Sequence, residues 1–334
     1  MYNIFIVILS NLLLLYFFSF LAPRLNLVDS PNYRKLHKGN IPLIGGFCTY
    51  LSMIFLSFFY SFSYEINLIL YSSGIILFLG LIDDSKQIGV TIRLTAQVIT
   101  SLIVINGGLS IVDLGEYHIF DPFNLGVLGY LLTCVAVLAL TNGINFIDGI
   151  DGLASGLIII SLFSIYAYSY YEGNLNDIEI VVFLIATILV FFVFNLELFF
   201  LKKIFLGDSG STTLGFILGF LLIYFTHPDH RNFHPVLAAW CVSLPIYDLF
   251  AITIRRLYRR INPFKPDRRH IHHLLLDKKI TPRKVLIIIL LSSLILNIIG
   301  GFIYFLLGPL ESLISFVLFM LIYLIMSFTI IKKI

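Results

Sequence analysis

The chain is poor in charged residues, cysteine and tryptophan. Charged residues make up 12% of its 334 positions, about half of the roughly 25% found in soluble domains. This shortage excludes an ordinary soluble globular domain. Cys48, Cys134 and Cys241 lie in separate apolar segments without C-x-x-C spacing, which excludes a disulfide framework and a thiolate metal site. The chain also lacks long linkers, low-complexity tracts and internal repeats, so we predict a single integral membrane domain over 1–334.

Long apolar runs take the place of the missing charge. Hydrophobic residues make up 59% of the chain, and about 20 apolar residues in a helix cross a hydrocarbon core of about 30 Å. The sequence therefore predicts an all-α polytopic membrane protein with about eleven transmembrane helices. The predicted spans lie near residues 4–22, 43–62, 66–82, 95–111, 124–141, 152–171, 178–195, 213–226, 234–254, 284–307 and 310–331.

The basic residues predict the orientation of these spans. With the N-terminus outside and the C-terminus in the cytoplasm, every Lys and Arg except Arg231 lies on the cytoplasmic side, as the positive-inside rule requires. The net charge of +3 therefore indicates a positive cytoplasmic face rather than a nucleic-acid binder. The basic stretch 255–260 is typical of a segment that contacts the headgroups of anionic membrane lipids.

Acidic residues are concentrated at the predicted cytoplasmic ends of the helices. The motif "LIDDSKQIG" ends the third span on Asp83 and Asp84. Carboxylates at a helix C-terminus oppose the helix dipole, so this placement favours a nearby cation over a merely solvated helix end.

A second polar motif, "TNGINFIDGIDGLASG", follows the fifth span. Asn142, Asn145, Asp148 and Asp151 recur there at every third position between glycines. A three-residue step drifts by about 60° on an α-helix, so the glycines predict a broken helix that brings these side chains together. Capping a helix requires only one such residue, and four of them favour a binding site.

A third motif, "FLGDSGST", predicts a turn before a helix that begins near Thr212. Amide groups at a helix N-terminus bind phosphate, and Asp208 offers the oxygen ligand that Mg²⁺ prefers. A plain turn with a helix cap explains the motif equally well. If the site holds a metal, Mg²⁺ is expected, with Mn²⁺ as the alternative.

Basic and histidine residues in two cytoplasmic loops predict a cationic pocket for phosphates. Histidine could also bind zinc, but the chain has no H-E-x-x-H pattern and no supporting cysteine. Together the motifs predict a cytoplasmic site for a soluble phosphorylated ligand and a lipid phosphate. The pocket residues are Lys35, His37, Arg268, His270, His272 and His273.

Five blocks in order resemble the polyprenyl-phosphate N-acetylhexosamine-1-phosphate transferases of glycosyltransferase family 4. Four of them are "DSPNYRKLHKGNIPLIGG", "LIDDSKQIG", "TNGINFIDGIDGLASG" and "FLGDSGST". The fifth, "NPFKPDRRHIHHLLL", is similar to the branch that uses UDP-N-acetylglucosamine (UDP-GlcNAc), rather than to the branch with three consecutive histidines that makes lipid I. The eleven predicted spans also fit the former branch.

The resemblance implies transfer of N-acetylglucosamine 1-phosphate from UDP-GlcNAc to undecaprenyl phosphate, with release of UMP, in the bacterial cytoplasmic (inner) membrane. This is the first membrane step of cell-surface polysaccharide synthesis, for example of lipopolysaccharide O-antigen. The resemblance implies catalytic roles for Asp83, Asp84, Asp148 and Asp208, metal binding by Asn145 and Asp208, and substrate binding by Asp151, His270, His272 and His273. From their places in the motifs and loops we also predict substrate binding by Asn142, Lys35, His37 and Arg268.

Several alternatives stay open at this point. The resemblance implies that Asp83 is a base toward the lipid phosphate. A phosphate monoester, however, has a second pKa of about 6 and is mostly dianionic already, which favours positioning and metal binding for Asp83. The sugar donor could be another UDP-N-acetylhexosamine. The reaction could pass through a phospho-aspartate intermediate instead of a single step. Whether the protein forms a homodimer is also open. A secondary transporter would place its acids near the bilayer midplane rather than at helix ends.

Overall fold

The structure, a computed structural model, describes residues 2–31, 39–86, 88–119, 122–260 and 270–332. This part of the chain is mostly α-helical, as predicted. The helices are α1 Tyr2–Leu21, α2 Gly45–Ser57, α3 Tyr64–Lys86, α4 Val90–Asn106, α5 Val127–Ile147, α6 Leu153–Tyr171, α7 Glu179–Asn195, α8 Gly207–Tyr224, α9 Pro235–Cys241, α10 Ser243–Tyr258, α11 Ile271–Asp277, α12 Pro282–Leu307 and α13 Pro309–Lys332.

Many of the helices are suited to a bilayer. Within the described ranges, six are long and apolar enough to cross a membrane, and the bent pair α9–α10 makes a seventh if it is counted as one span. The helices α2, α4 and α7 are apolar but shorter. Large apolar side chains such as Leu128, Leu131 and Phe302 face outward, where lipid tails would cover them. The chain is thus a multi-pass membrane protein, and the count of eleven spans stays a prediction.

Helix α8 forms the centre of the bundle. All of its residues except Asp208 are buried, and it packs mainly against α3 and α5 and also against α2. Small residues permit this close packing. A Cβ atom on Gly46 of α2 would overlap the backbone of Gly210, and one on Gly80 of α3 would overlap Ser209. The backbones of α2 and α3 therefore lie directly against the first turn of α8.

The chain bends by 76° between α9 and α10. Pro245 in the first turn of α10 has no N–H group to donate to the carbonyl of Cys241, so the helical hydrogen-bond ladder is interrupted. The hydroxyl of Ser161 donates to this free carbonyl at 2.7 Å. The bend leaves Asp248 on α10 beside the start of α11, where His270 lies.

The structure departs from the sequence predictions in two places. A small antiparallel sheet pairs β1, Val28–Asp29, with β2, Ile41–Pro42, so the fold is not entirely helical. The residue after β2, Leu43, forms a parallel bridge with Phe205 just before α8. The prediction that α8 begins near Thr212 was wrong, because α8 begins at Gly207 and the expected turn is its first turn.

Candidate active site

Polar residues of three helices meet at one end of the bundle. The C-terminal ends of α3 and α5 lie beside the N-terminal end of α8, because α8 runs antiparallel to both. The amide of Asn145 on α5 donates to the carboxylate of Asp208 at 3.2 Å and to the hydroxyl of Ser211 at 2.8 Å. The structure thus brings together the two residues that were predicted to bind a metal.

Asp84 caps the start of α8. Its carboxylate accepts hydrogen bonds from the backbone N–H of Asp208 at 2.8 Å, from the N–H of Ser209 at 3.2 Å and from the Ser209 hydroxyl at 2.7 Å. Asp84 opposes the dipole of its own helix, but it meets the positive end of α8. The amide groups that were predicted to bind phosphate are therefore already paired with Asp84, and capping by this residue explains why α8 begins at Gly207.

Asp83 has a different partner. It is buried, and its carboxylate accepts from the backbone N–H of Ile88 at 2.6 Å and from the guanidinium of Arg93 at 2.8 Å. The same guanidinium group lies 3.6 Å from the second oxygen of Asp208. Arg93 was missed at the sequence level, where it counted only as one of the cytoplasmic basic residues. An isolated arginine one turn into an apolar helix was the signal that could have revealed it.

The groups around Arg93 line a recess between α3, α4 and α8. Its lining combines apolar side chains of α3 and α4 with the charged groups of Asp83, Arg93 and Asp208. The lining residues are Ile76, Leu79, Gly80, Asp83, Arg93, Ala96, Gln97, Asp208 and Thr212.

The broken helix predicted for the second motif is confirmed. Helix α5 ends at Ile147, Asp148 caps it, and Gly152 adopts a φ of 76° before α6 begins. The side chain of Asp148 is exposed to solvent at the end of the helix. Desolvation by the surrounding protein, followed by repulsion from the carboxylates of Asp208, Asp151 and Asp84, raises the pKa of Asp148 to about 8.

Asp151 pairs with a lysine from the segment before α8. The ammonium group of Lys203 lies 2.6 Å from its carboxylate. The same segment is held by Asn195, which accepts from the N–H of Gly152 at 2.5 Å and donates to the carbonyl of Ile204 at 2.8 Å. Lys203 had counted only as a basic residue of a cytoplasmic loop, and its pairing with Asp151 depends on a contact that the sequence does not encode locally.

Asn142 lies deeper along α5. Its amide donates to Gln97 on α4 at 2.7 Å and to the carbonyl of Leu138 at 2.8 Å. It therefore ties α4 to α5, and its predicted substrate-binding role stays a prediction.

The three histidines lie at the start of α11. His270 forms a hydrogen bond with Asp248 at 2.7 Å through Nδ1, and the ring of His272 packs against Gly149. Within the described part of the chain, His272 is fully buried and neither ring nitrogen has a hydrogen-bond partner. Burial, followed by the neighbouring His273 and His270, lowers the pKa of His272 to about 3, so its ring is neutral at physiological pH. Lys35, His37 and Arg268 lie outside the described residues.

The donor set fits a magnesium ion that is shared with a substrate. Among the described residues, no three His, Cys, Asp or Glu side chains could hold a metal by themselves. The Asp208 side chain is 51% exposed, and it lies beside the Asn145 amide and near the crowded Asp148. Mg²⁺ commonly uses one or two carboxylates together with substrate phosphates and water, whereas zinc prefers nitrogen and sulfur ligands.

Carboxylates, amides and a guanidinium thus form a polar site at one end of a bundle of apolar helices, as in a membrane-embedded enzyme. Comparison with known proteins identifies the family. The profile described as glycosyl transferase family 4 matches residues 66–226, which include Asp83, Asp84, Asn145 and Asp208.

Full-length relatives extend the match. The undecaprenyl-phosphate alpha-N-acetylglucosaminyl 1-phosphate transferase of Escherichia coli O157:H7 is 36% identical over 301 residues, 88% of this chain and 81% of the relative. The protein of the same name from Yersinia pestis is 37% identical over 286 residues, 84% of this chain and 77% of the relative. The protein of the same name from Haemophilus influenzae is 33% identical over 315 residues, which cover 90% of this chain and 86% of the relative. The chain belongs to glycosyl transferase family 4, which confirms the enzyme prediction over the transporter.

Proposed function

We propose that the chain transfers N-acetylglucosamine 1-phosphate from UDP-GlcNAc to undecaprenyl phosphate. The observation that carries the proposal is the meeting of Asn145, Asp148, Asp208 and Arg93 at one end of the bundle, where Arg93 and Asp208 also line a recess with apolar residues of α3 and α4. The names of the relatives support the choice of donor and acceptor. The products are undecaprenyl-diphospho-GlcNAc and UMP, and the reaction is the first membrane step of cell-surface polysaccharide synthesis.

The reaction balances without a net proton transfer. An oxygen of the lipid phosphate attacks the β-phosphorus of UDP-GlcNAc, the new P–O bond forms, and the bond to the UMP oxygen breaks. The lipid phosphate is mostly dianionic at pH 7, because its second pKa is about 6. The attacking oxygen therefore requires no strong base, and bringing two anions together is the main electrostatic problem.

We propose that the residues of the site reduce this repulsion either by neutralising charge or by positioning the groups that do so. Arg93 lines the recess together with Asp83, Asp208 and apolar residues of α3 and α4, and we propose that its guanidinium neutralises part of the charge of the lipid phosphate. Asp83 holds Arg93 in place, which supports positioning rather than proton abstraction for this carboxylate. Asp84 fixes the first turn of α8 and hence Asp208. Asp151, paired with Lys203, is proposed to face the nucleotide.

Asn145 and Asp208 are the proposed holders of Mg²⁺, and Mn²⁺ is the alternative. When bound, the metal would neutralise charge on the diphosphate of the donor. The raised pKa of Asp148 reflects desolvation first and then repulsion from the carboxylates of Asp208, Asp151 and Asp84, and a bound cation would oppose this repulsion.

The proposed setting is the bacterial inner membrane, with eleven spans and the site on the cytoplasmic face. The uneven distribution of Lys and Arg supports this orientation.

One experiment tests the proposed function. Purified protein is incubated with Mg²⁺, undecaprenyl phosphate and UDP-GlcNAc, and both UMP and the lipid product are measured. We expect equal amounts of the two products, and none without the lipid or after chelation of the metal. Turnover with a different UDP-N-acetylhexosamine alone would change only the donor, whereas absence of UMP with every UDP-sugar would refute the transferase.

A further inference from the structure

A buried carboxylate lies behind the histidines, apart from the acids described so far. Asp248 on α10 is 1% exposed. Burying a charged group is costly unless it is paired and hydrogen-bonded. Asp248 meets this requirement with three partners from two other parts of the chain.

The two carboxylate oxygens of Asp248 have different hydrogen-bond partners. Oδ1 accepts from the backbone N–H of Ile271 at 3.1 Å and from the hydroxyl of Tyr323 on α13 at 2.9 Å. Oδ2 faces Nδ1 of His270 at 2.7 Å. One carboxylate therefore fixes the backbone at the start of α11, the ring of His270 and a contact with the last helix.

This arrangement determines which nitrogen of His270 carries a hydrogen. A carboxylate can only accept, so Nδ1 donates to Asp248 and the neutral ring keeps Nε2 as an acceptor. The ring packs against Phe146, with 5.5 Å between ring centroids, and Phe146 directly follows Asn145. It also lies nearly parallel to the ring of His272, at 6.0 Å and 11°.

The His270 ring thus connects Asp248 to both sides of the site. Phe146 belongs to the end of α5, and the buried His272 packs against Gly149 in the loop between Asp148 and Asp151. A change in the His270 ring would be felt at the α5 end and at the ring of His272, although Asp248 touches neither.

We propose that Asp248 is a positioning residue for the transfer reaction. It holds the His270 ring so that Nδ1 donates its hydrogen to Asp248 and Nε2 is left as a hydrogen-bond acceptor. The proposal rests on the proposed function. It predicts that turnover falls, when Asp248 is changed, because the hydrogen of the His270 ring moves to the other nitrogen, and not because the contact between α10 and α13 is weakened.

The substitution Asp248→Asn separates these two effects. Its side-chain oxygen can keep the two hydrogen bonds of Oδ1, while its amide nitrogen puts a donor where Oδ2 accepted. Nδ1 of His270 must then accept, and the hydrogen moves to Nε2. The matched control is Tyr247→Phe, which removes a buried 2.9 Å hydrogen bond to the carbonyl of Phe316 and so weakens the same pair of helices without touching His270.

The experiment measures kcat and KM from UMP release, the unfolding temperature, and the ¹⁵N signals of labelled histidines in the full-length protein. For Asp248→Asn we expect kcat to fall about tenfold or more, with KM values within about threefold and a ring hydrogen that moves from Nδ1 to Nε2. Tyr247→Phe should keep kcat within about twofold of the wild type. Wild-type turnover in Asp248→Asn, an unchanged ring, or an equal loss in Tyr247→Phe would overturn the proposal.

A second variant keeps the test decisive if Asp248→Asn does not fold. In His270→Asn the side-chain amide can still donate to Asp248, but the position of Nε2 is empty. We expect kcat to fall as in Asp248→Asn, and a His270→Asn enzyme with wild-type turnover would also overturn the proposal. A wild-type chain that releases no UMP would refute the proposed function instead. The position of the hydrogen on the His270 ring is measured by NMR without substrate, so that result does not depend on the proposed function.

Discussion

The substitution Asp83→Asn tests whether this residue positions the site or acts as a base. In the wild type the guanidinium of Arg93 is 2.8 Å from Asp83 and 3.6 Å from Asp208. The asparagine side chain would still accept from the N–H of Ile88 but would no longer carry the charge that holds Arg93. We expect Arg93 to move toward Asp208 and to compete with the metal for that carboxylate.

The size of the effect follows from these distances. At an effective dielectric of about 20, a charge pair gains roughly 1.3 kcal/mol when its separation falls from about 3.6 to about 2.8 Å. Asp208 is half exposed, so solvent screening lowers this gain by up to about half. The half-saturating concentration of Mg²⁺ should therefore rise by about three- to tenfold.

The assay is UMP release as a function of Mg²⁺ concentration, repeated across pH. We expect saturating Mg²⁺ to recover most of the rate of Asp83→Asn. Adding Arg93→Met to this variant removes the competing guanidinium and should return the Mg²⁺ requirement close to that of the wild type. A lower rate at every Mg²⁺ concentration, with unchanged half-saturation and loss of the acidic limb of the pH profile, would identify Asp83 as a base and refute this reasoning.

Two further predictions concern a charge pair and a helix contact. Lys203→Met should raise the KM for UDP-GlcNAc by about three- to tenfold, because Asp151 is then an uncompensated anion near an anionic substrate. Adding Asp151→Asn should restore part of the loss, and strictly additive effects on KM would contradict the pairing. Gly46→Ala should lower the unfolding temperature in detergent by several degrees, because overpacking costs about 1–3 kcal/mol. Gly219→Ala on α8, whose added Cβ would meet Val137 at an ordinary 3.5 Å, should not lower that temperature, and equal losses in the two variants would argue against the contact.

The sequence predicted the polar groups of the site better than their partners. Motif chemistry indicated Asp208 as a metal ligand, the family resemblance added Asn145, and the structure places the two in contact. The break after Ile147 followed from glycines that lie within the motif itself. The chemistry of a motif and a break in a helix depend on residues that are close in sequence, so they can be predicted from a short stretch of sequence.

Contacts between distant segments could not be predicted in this way. Asp84 was expected to need a cation, but it meets the backbone of α8, which lies more than a hundred residues later in the chain. The same capping contact moved the start of α8 to Gly207. Arg93 and Lys203 were missed because the positive-inside rule already accounted for the basic residues of the loops that were predicted to be cytoplasmic, whatever their partners.

The central position of α8 has a further consequence for how the site works. The helix that carries Asp208 is enclosed by protein along its length, and its first turn touches the backbones of Gly46 and Gly80 and the carboxylate of Asp84. A helix held by backbone contacts has little room to shift, so Asp208, the one charged residue of α8, is preorganised for the charge that develops in the reaction. Conformational change during turnover then falls to the surrounding loops, and the bundle itself acts as a fixed frame through successive reaction cycles.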